Sequence, residues 1–155
     1  GAAEADILNN LLEGKQLNVT PAQGDVGSGE PFEDLFIVAG GSGAAQAFSC
    51  AEHRAAISAG GTTAILWCAD TVQDIYEQAA LRAMHNVELH TCIDNRRTPE
   101  NEGMVWLDSN AHKFINAYVV IAGSPGFVYT VTDLLVAVGF KRQQLHADAY
   151  AYAPR

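Results

Sequence analysis

One stretch of the sequence decides the fold: Leu35-Phe36-Ile37-Val38-Ala39-Gly40-Gly41-Ser42-Gly43. It joins an apolar, strand-like run to a glycine cluster, and an alanine-rich, helix-like stretch follows at residues 44–59. Open α/β sheets bind ligands at such strand–turn–helix junctions. Glycines let the backbone approach a phosphate, and the start of a helix offers unpaired N–H groups and a positive dipole. The sequence therefore predicts a phosphate-binding turn at Gly40, Gly41, Ser42 and Gly43.

Apolar, strand-like runs alternate with helix-like stretches along the rest of the chain. We expect strands at residues 35–39, 63–68, 87–93, 117–122 and 144–150, and helices at 44–59, 71–85 and 127–138. Residues 94–110 are polar and are expected to be mainly loop, with a short helical segment at 107–114. Strands that alternate with helices indicate a parallel sheet with right-handed crossovers. We predict an α/β, doubly wound domain of about five parallel strands, with helices on both faces.

A second glycine turn, Gly123-Ser124-Pro125-Gly126, follows the fourth predicted strand. Because crossover connections bring the carboxyl ends of parallel strands to one edge, both glycine turns are expected to flank the switch point there. That geometry suits a ligand that carries a pyrophosphate. The alternative is that the glycines only make tight turns, and Gln46 stands where the dinucleotide fingerprint has its third glycine.

Asp70 ends the second predicted strand. In a dinucleotide fold, an acid at this point accepts hydrogen bonds from the ribose 2′-OH and repels a 2′-phosphate, which favours NADH over NADPH. The alternative is an ordinary acid before a helix, stabilised by the helix dipole. Arg96 and Arg97, in the following loop, could either reach a phosphate or be solvated.

Composition excludes several classes of protein. The chain has 155 residues, which suits one domain, and its net charge of −9 disfavours nucleic acid and anionic membranes. No apolar run approaches the roughly 18 residues of a membrane span. The three cysteines have no short paired spacing and the five histidines have no metal-ligand spacing, so we expect no metal site, reduced thiols and a cytoplasmic location.

Ser42 also permits a hydrolase interpretation. Gly40-Gly41-Ser42-Gly43-Ala44 approximates a nucleophile elbow, and Asp133 and His146 follow in the hydrolase order. However, Ala44 replaces the last glycine of that motif, and an exposed position in a helix is the simpler explanation for Asp133.

Three ordered motifs, at residues 36–43, 65–76 and 119–127, resemble the NAD(P)H-binding half of ferredoxin–NADP⁺ reductase-like proteins. The closest group is the bacterial NAD(P)H:flavin oxidoreductases, whose last strand often ends in an acid followed by alternating aromatics, as in Asp148-Ala149-Tyr150-Ala151-Tyr152. The resemblance covers residues 31–155 and implies the strand order 3-2-1-4-5. In the site that the resemblance implies, the nicotinamide and pyrophosphate are lined by Gly41, Ser42 and Gly43, and the adenosine ribose faces Asp70 and Thr71. The same resemblance implies that the nicotinamide is covered by Gly123, Ser124, Pro125 and Gly126, and that the flavin ring lies near Tyr150 and Tyr152.

Residues 1–30 resemble the end of that family's flavin-binding barrel, with a helical turn or two at 7–12, a short strand at 17–19 and a flexible loop at 24–29. The body of the barrel and its flavin motif are absent from the sequence. We therefore expect either a fragment of a longer reductase or a protein that has lost its flavin half. An N-terminal arm packed on the main domain is the other interpretation of this segment.

The resemblance implies that the chain binds NADH, less readily NADPH, and presents the nicotinamide for hydride transfer to FAD or FMN supplied by another domain or partner. It implies no catalytic residue of its own and little turnover by the chain alone. The alternative is a noncatalytic interaction or assembly module with a degenerate nucleotide site. Exposed Leu11, Leu12 and Val19 would then favour pairing with another chain or a homodimer.

Overall fold

The structure, a computed structural model, describes residues 2–16, 18 and 26–155. Its centre is a five-stranded parallel sheet with the order β3-β2-β1-β4-β5. The strands are β1 Leu35–Gly40, β2 Thr63–Ala69, β3 Val87–Ile93, β4 Tyr118–Ala122 and β5 Leu145–His146. The helices are α1 Ala2–Leu12, α2 Ala44–Ala56, α3 Gln78–Ala83, α4 Glu102–Asn110, α5 Pro125–Val138 and α6 Ala149–Tyr152. The predicted α/β class, strand number and strand order are confirmed.

The middle strand β1 is buried on both faces because helices cover the sheet on both sides. Phe36 and Val38 pack in one core with Leu107 of α4 and Leu135 of α5. Their neighbours along the strand face a second core, with α2 and α3. A strand covered twice needs a continuous apolar sequence rather than an alternating one, as residues 35–39 have.

The predicted second helix is wrong for most of its length. Only α3 is α-helical, and a single 3₁₀ turn precedes it at Val72–Asp74. Between them the Tyr76 ring stacks on Phe48 with centroids 5.7 Å apart and meets Trp67 edge-on at 5.1 Å. Glu77 adopts a φ of 51°, outside the helical region. The aromatic contacts and the break in the helix coincide, so tertiary packing overrides a helix-compatible sequence here.

Three other predicted boundaries are also corrected. The expected strand at 144–150 is only Leu145–His146, because its pairing with β4 ends at Val120 and His146, and α6 follows. The region expected to be mainly loop contains α4, which begins at Glu102 after the N-cap Asn101. Helix α2 ends at Ala56 rather than at 59, and Ser58 has a φ of 52°.

Among the described residues, no helix is long and apolar enough to cross a membrane. Helix α1 includes the helical turns expected at residues 7–12. The short strand predicted at 17–19 and the beginning of the loop predicted at 24–29 lie outside the described residues, apart from Asn18.

Candidate functional site

The two glycine turns meet at the carboxyl edge of the sheet. The Gly41–Gly43 turn follows β1. The second turn follows β4, which pairs with β1 on the side where the strand order reverses. A Cβ placed on Gly43 would lie 2.3 Å from the carbonyl oxygen of Ala122 and 2.9 Å from the amide nitrogen of Gly123. The two backbones are therefore in direct contact, and the turns form one continuous surface at the switch point.

Phe127 packs behind this surface and was not anticipated as part of the site. A Cβ on Gly40 would lie 2.9 Å from its ring, and a Cβ on Gly123 would lie 2.8 Å from the same ring. An aromatic residue directly after a glycine–proline turn was the available sequence signal. Close packing therefore accounts for glycine at three positions, Gly40, Gly43 and Gly123.

Two other glycines of the same turns face open space. Among the described residues, apart from chain neighbours and the local helix backbone, no heavy atom lies within 4 Å of a Cβ built on Gly41 or on Gly126. Gly41 has a φ of 53°, which favours glycine, whereas Gly126 lies in the first turn of α5 with no such constraint. Ser124 caps that helix, and its Oγ accepts a hydrogen bond from the amide of Phe127 at 3.4 Å. Packing does not explain glycine at Gly41 or Gly126, and a ligand could approach the backbone at both.

Asp70 lies beyond the end of β2 and forms an ion pair with Arg97. The Arg97 Nη2 and Asp70 Oδ2 are 2.6 Å apart, and both side chains are about half or more exposed (74% and 48%). This hydrogen bond raises the pKa of Arg97. The backbone amide and hydroxyl of Thr71 both donate to the carboxylate of Asp74, at 2.9 and 2.8 Å. Arg97 therefore stands at the edge of the site, in contact with the acid predicted to bind ribose.

The loop that carries Arg97 is ordered by polar contacts that the sequence analysis missed. The carboxylate of Asp94 accepts hydrogen bonds from the side chain and amide of Arg96 and from the amide of Glu102, which hold the pKa of Asp94 well below its usual range. Buried Asn101 donates to the carbonyls of Asp94 and Arg96, both at 2.9 Å. The signal was an acid and an amide flanking a polar segment, a pattern common to turns and helix caps.

The two tyrosines predicted to lie near a flavin are on helix α6 rather than on a strand. The Tyr150 hydroxyl is 2.6 Å from that of Thr132 on α5, and its ring lies beneath the guanidinium group of Arg142. Tyr152 is 65% exposed. The contacts of Tyr150 are thus with α5 and the segment after it.

The hydrolase alternative finds no support in the arrangement of its residues. Asp133 forms an ion pair with Arg155, and His146 stacks on Tyr118 with ring centroids 4.0 Å apart. In the described part of the chain, Ser42 makes no side-chain hydrogen bond, and no group of three or more His, Cys, Asp or Glu residues could hold a metal ion.

Cys68 and Cys92 lie side by side on β2 and β3. Burial raises the pKa of each thiol to about 12. We expect neither to react rapidly with Ellman's reagent at pH 8, because only on the order of one molecule in 10⁴ would carry the thiolate. Unfolding in guanidinium should expose all three cysteines of the chain as the control. Rapid labelling of either thiol in the folded protein would contradict this prediction.

Thiols in the unfolded chain ionise at a lower pH than the buried thiols of Cys68 and Cys92. Raising the pH from about 9 to 12 should therefore lower the free energy of unfolding progressively.

The sequence matches no known protein family profile and no curated protein. The fold, however, matches part of several solved structures. A flavohemoglobin from Malassezia yamatoensis, with bound FAD and heme, superposes with a TM-score of 0.63 and 13% identity over 77% of this chain and 32% of its own. The ferredoxin reductase in carbazole 1,9a-dioxygenase gives 0.62 and 19%, over 79% of this chain and 39% of its own.

The ferredoxin–NADP⁺ reductase from Plasmodium falciparum gives a TM-score of 0.58 and 16% identity, over 76% of this chain and 52% of its own. The chain thus corresponds to about a third to a half of the length of these proteins. Identities this low establish the fold and not the activity. The fold of the chain is therefore similar to part of these reductases and of the flavohemoglobin, which agrees with the resemblance of its three motifs.

Proposed function

We propose that the chain is the nucleotide-binding half of an NADH-dependent flavin oxidoreductase. The observation that carries this proposal is the pair of open glycines, Gly41 and Gly126, on turns that meet at the switch point of the sheet. Such a surface suits the pyrophosphate and nicotinamide of a dinucleotide, because bare backbone allows close approach. Ser42, which is exposed in the first of the two turns, would contact the same ligand.

The chain's own contribution would be to bind and orient the nucleotide. The nicotinamide supplies the hydride, so no general base is required of the protein. FAD or FMN would be held by another domain or by a partner, and the exposed face of the turns is where that group would have to approach. From this division we expect no catalytic residue in the chain itself and little turnover by the chain alone.

Asp70 supports NADH as the nucleotide. Its Oδ2 accepts from Arg97, whereas its Oδ1 makes no hydrogen bond among the described residues and is available to a ribose hydroxyl. The same carboxylate would repel a 2′-phosphate. Arg97 would offset part of this repulsion, so the discrimination should be moderate, on the order of tenfold.

Calorimetric titration with NADH and NADPH tests the proposal. We expect saturable NADH binding, NADPH binding about tenfold weaker, and a smaller difference in Asp70→Asn. Asp108→Asn is the matched control, because Asp108 is an exposed acid on α4. A folded protein that releases no heat at millimolar NADH would refute nucleotide binding. Equal affinity for the two nucleotides would refute the role of Asp70.

A second function, pairing with another chain, is favoured by helix α1. Four of its apolar side chains are more than half exposed: Ile7, Leu8, Leu11 and Leu12. An apolar helix face that the described residues leave exposed is typical of interaction surfaces. A chain that folds and associates through α1 but does not bind NADH would have this function instead.

A further inference from the structure

A cavity of about 270 Å³ lies between α5, the turn at Arg142–Gln144 before β5 and the segment that follows β5, and it is not part of the proposed nucleotide site at the glycine turns. It is lined by Tyr129, Thr132, Arg142, Tyr150, Pro154 and Arg155, and is referred to below as the arginine–tyrosine cavity. We propose that the arginine–tyrosine cavity binds a small molecule through a carboxylate or phosphate group, held between the guanidinium groups of Arg142 and Arg155.

The two guanidinium groups are held in place by aromatic rings. The Arg142 guanidinium carbon lies 3.8 Å from the centroid of the Tyr150 ring, and that of Arg155 lies 4.5 Å from the Tyr129 ring. The two rings are themselves 5.8 Å apart. Stacking on a ring fixes the plane of a guanidinium and leaves its N–H edge free. The N–H groups of Arg142, and those of Arg155 that do not bond Asp133, are donors beside one cavity and suit the oxygens of a carboxylate or phosphate.

The hydroxyl hydrogens of the cavity are already used within the protein. Thr132 donates to the carbonyl oxygen of Val128 at 2.7 Å, so the 2.6 Å contact between the two hydroxyls requires Tyr150 to donate to Thr132. Tyr129 donates to the carbonyl of Ala153 at 2.8 Å. The guanidinium N–H groups are therefore the donors left for a ligand, which selects a ligand that accepts hydrogen bonds.

The local charge favours an anion although the whole chain carries −9. Asp133 pairs with Arg155, whose hydrogen bond lowers the pKa of Asp133, and the charge of Arg142 adds to this effect, so one carboxylate serves two guanidinium groups. Among the described residues, Arg142 has no carboxylate at ion-pair distance, and its one hydrogen bond, to the carbonyl of Leu145, is long at 3.4 Å. The side chains that line the cavity include two cations and no anion, so the local positive charge favours an oxyanion.

Titration with inorganic phosphate at constant ionic strength, followed by NMR of the arginine side-chain N–H groups, tests the proposal. We expect saturable shifts at Arg142 and Arg155. Arg142→Gln should weaken phosphate binding by about tenfold or more, because it removes a charged donor. Lys113→Gln is the matched control, since Lys113 is an exposed cation that bonds only Asn110 among the described residues. Circular dichroism shows whether each variant is folded.

A second variant tests the ring of Tyr150 separately from its hydroxyl group. Tyr150→Phe keeps the ring beneath Arg142 and removes a hydroxyl that is not available to the ligand, so phosphate affinity should change by less than about threefold. Gly126→Phe should leave the phosphate response unchanged, which distinguishes this cavity from the proposed nucleotide site. Shifts that rise linearly without saturating, or equal affinities of Arg142→Gln and Lys113→Gln, would overturn the proposal.

Discussion

Gly126→Phe is expected to lower NADH affinity by about 100-fold or more while leaving the domain folded. A Cβ at this position meets no atom of the described residues within 4 Å beyond the local helix backbone, so the new ring would occupy open space at the second turn. That is the space which the proposed nicotinamide site requires. Replacing glycine in a helix with any other residue except proline also tends to stabilise the helix, so the loss would not reflect unfolding.

Calorimetry with NADH and thermal unfolding measure the two effects separately. Gly126→Ala is the control, because its methyl group is small and its backbone conformation is ordinary; NADH affinity should then change by less than about fivefold. Gly126 is preferred to Gly41 for this test, since the φ of 53° at Gly41 would add strain to any side chain placed there. If Gly126→Phe binds NADH as well as the unchanged protein, the nucleotide site lies elsewhere.

Gly43→Ala is expected to lower the free energy of unfolding by about 3 kcal/mol or more. The added Cβ would lie 2.3 Å from the carbonyl oxygen of Ala122. The clash is with backbone at the end of β4, a central strand paired to β1, so neither partner can move aside without disturbing the sheet.

Urea unfolding of Gly43→Ala measures this loss, with Gly126→Ala as the matched substitution of the same chemical size. The two variants add one methyl each, to contacting backbone in one case and to open space in the other. A loss of less than about 1 kcal/mol in Gly43→Ala would show that the two turns can separate at low cost. Such a result would also weaken the description of the turns as one rigid surface.

The prediction of the sheet was correct because its strands carry a strong local signal. Residues 35–39 of β1 are fully buried, and an unbroken apolar run between turn residues is readable without knowing what covers it. The same reasoning failed for residues 144–150. Leu145, Ala147 and Ala149 are buried alternately, as in a strand, although only the first of them belongs to β5 and Ala149 begins α6. An alternation over so few residues does not distinguish the two structures.

For the candidate site, the turns could be located from the sequence, but the roles of their glycines could not. Glycine composition does not say whether a missing side chain makes room for a ring, for another backbone or for a ligand. In the structure, Gly40 and Gly123 make room for Phe127, Gly43 makes room for β4, and Gly41 remains open. The role of Arg97 could not be predicted from the sequence either, because its contact with Asp70 joins residues that are 27 positions apart.

By itself, the sequence determined the α/β class and placed two glycine turns at the carboxyl edge, and the resemblance of its motifs supplied the strand order. The class and the position of the turns follow from local patterns of apolar and turn residues and from the way crossover connections align parallel strands. The tertiary structure alone decided which glycines are open, where Tyr76 interrupts a helix, and that Arg142 and Arg155 lie beside one cavity. Each of these depends on contacts between distant parts of the chain, whose distances and orientations exist only once the helices have packed on the sheet.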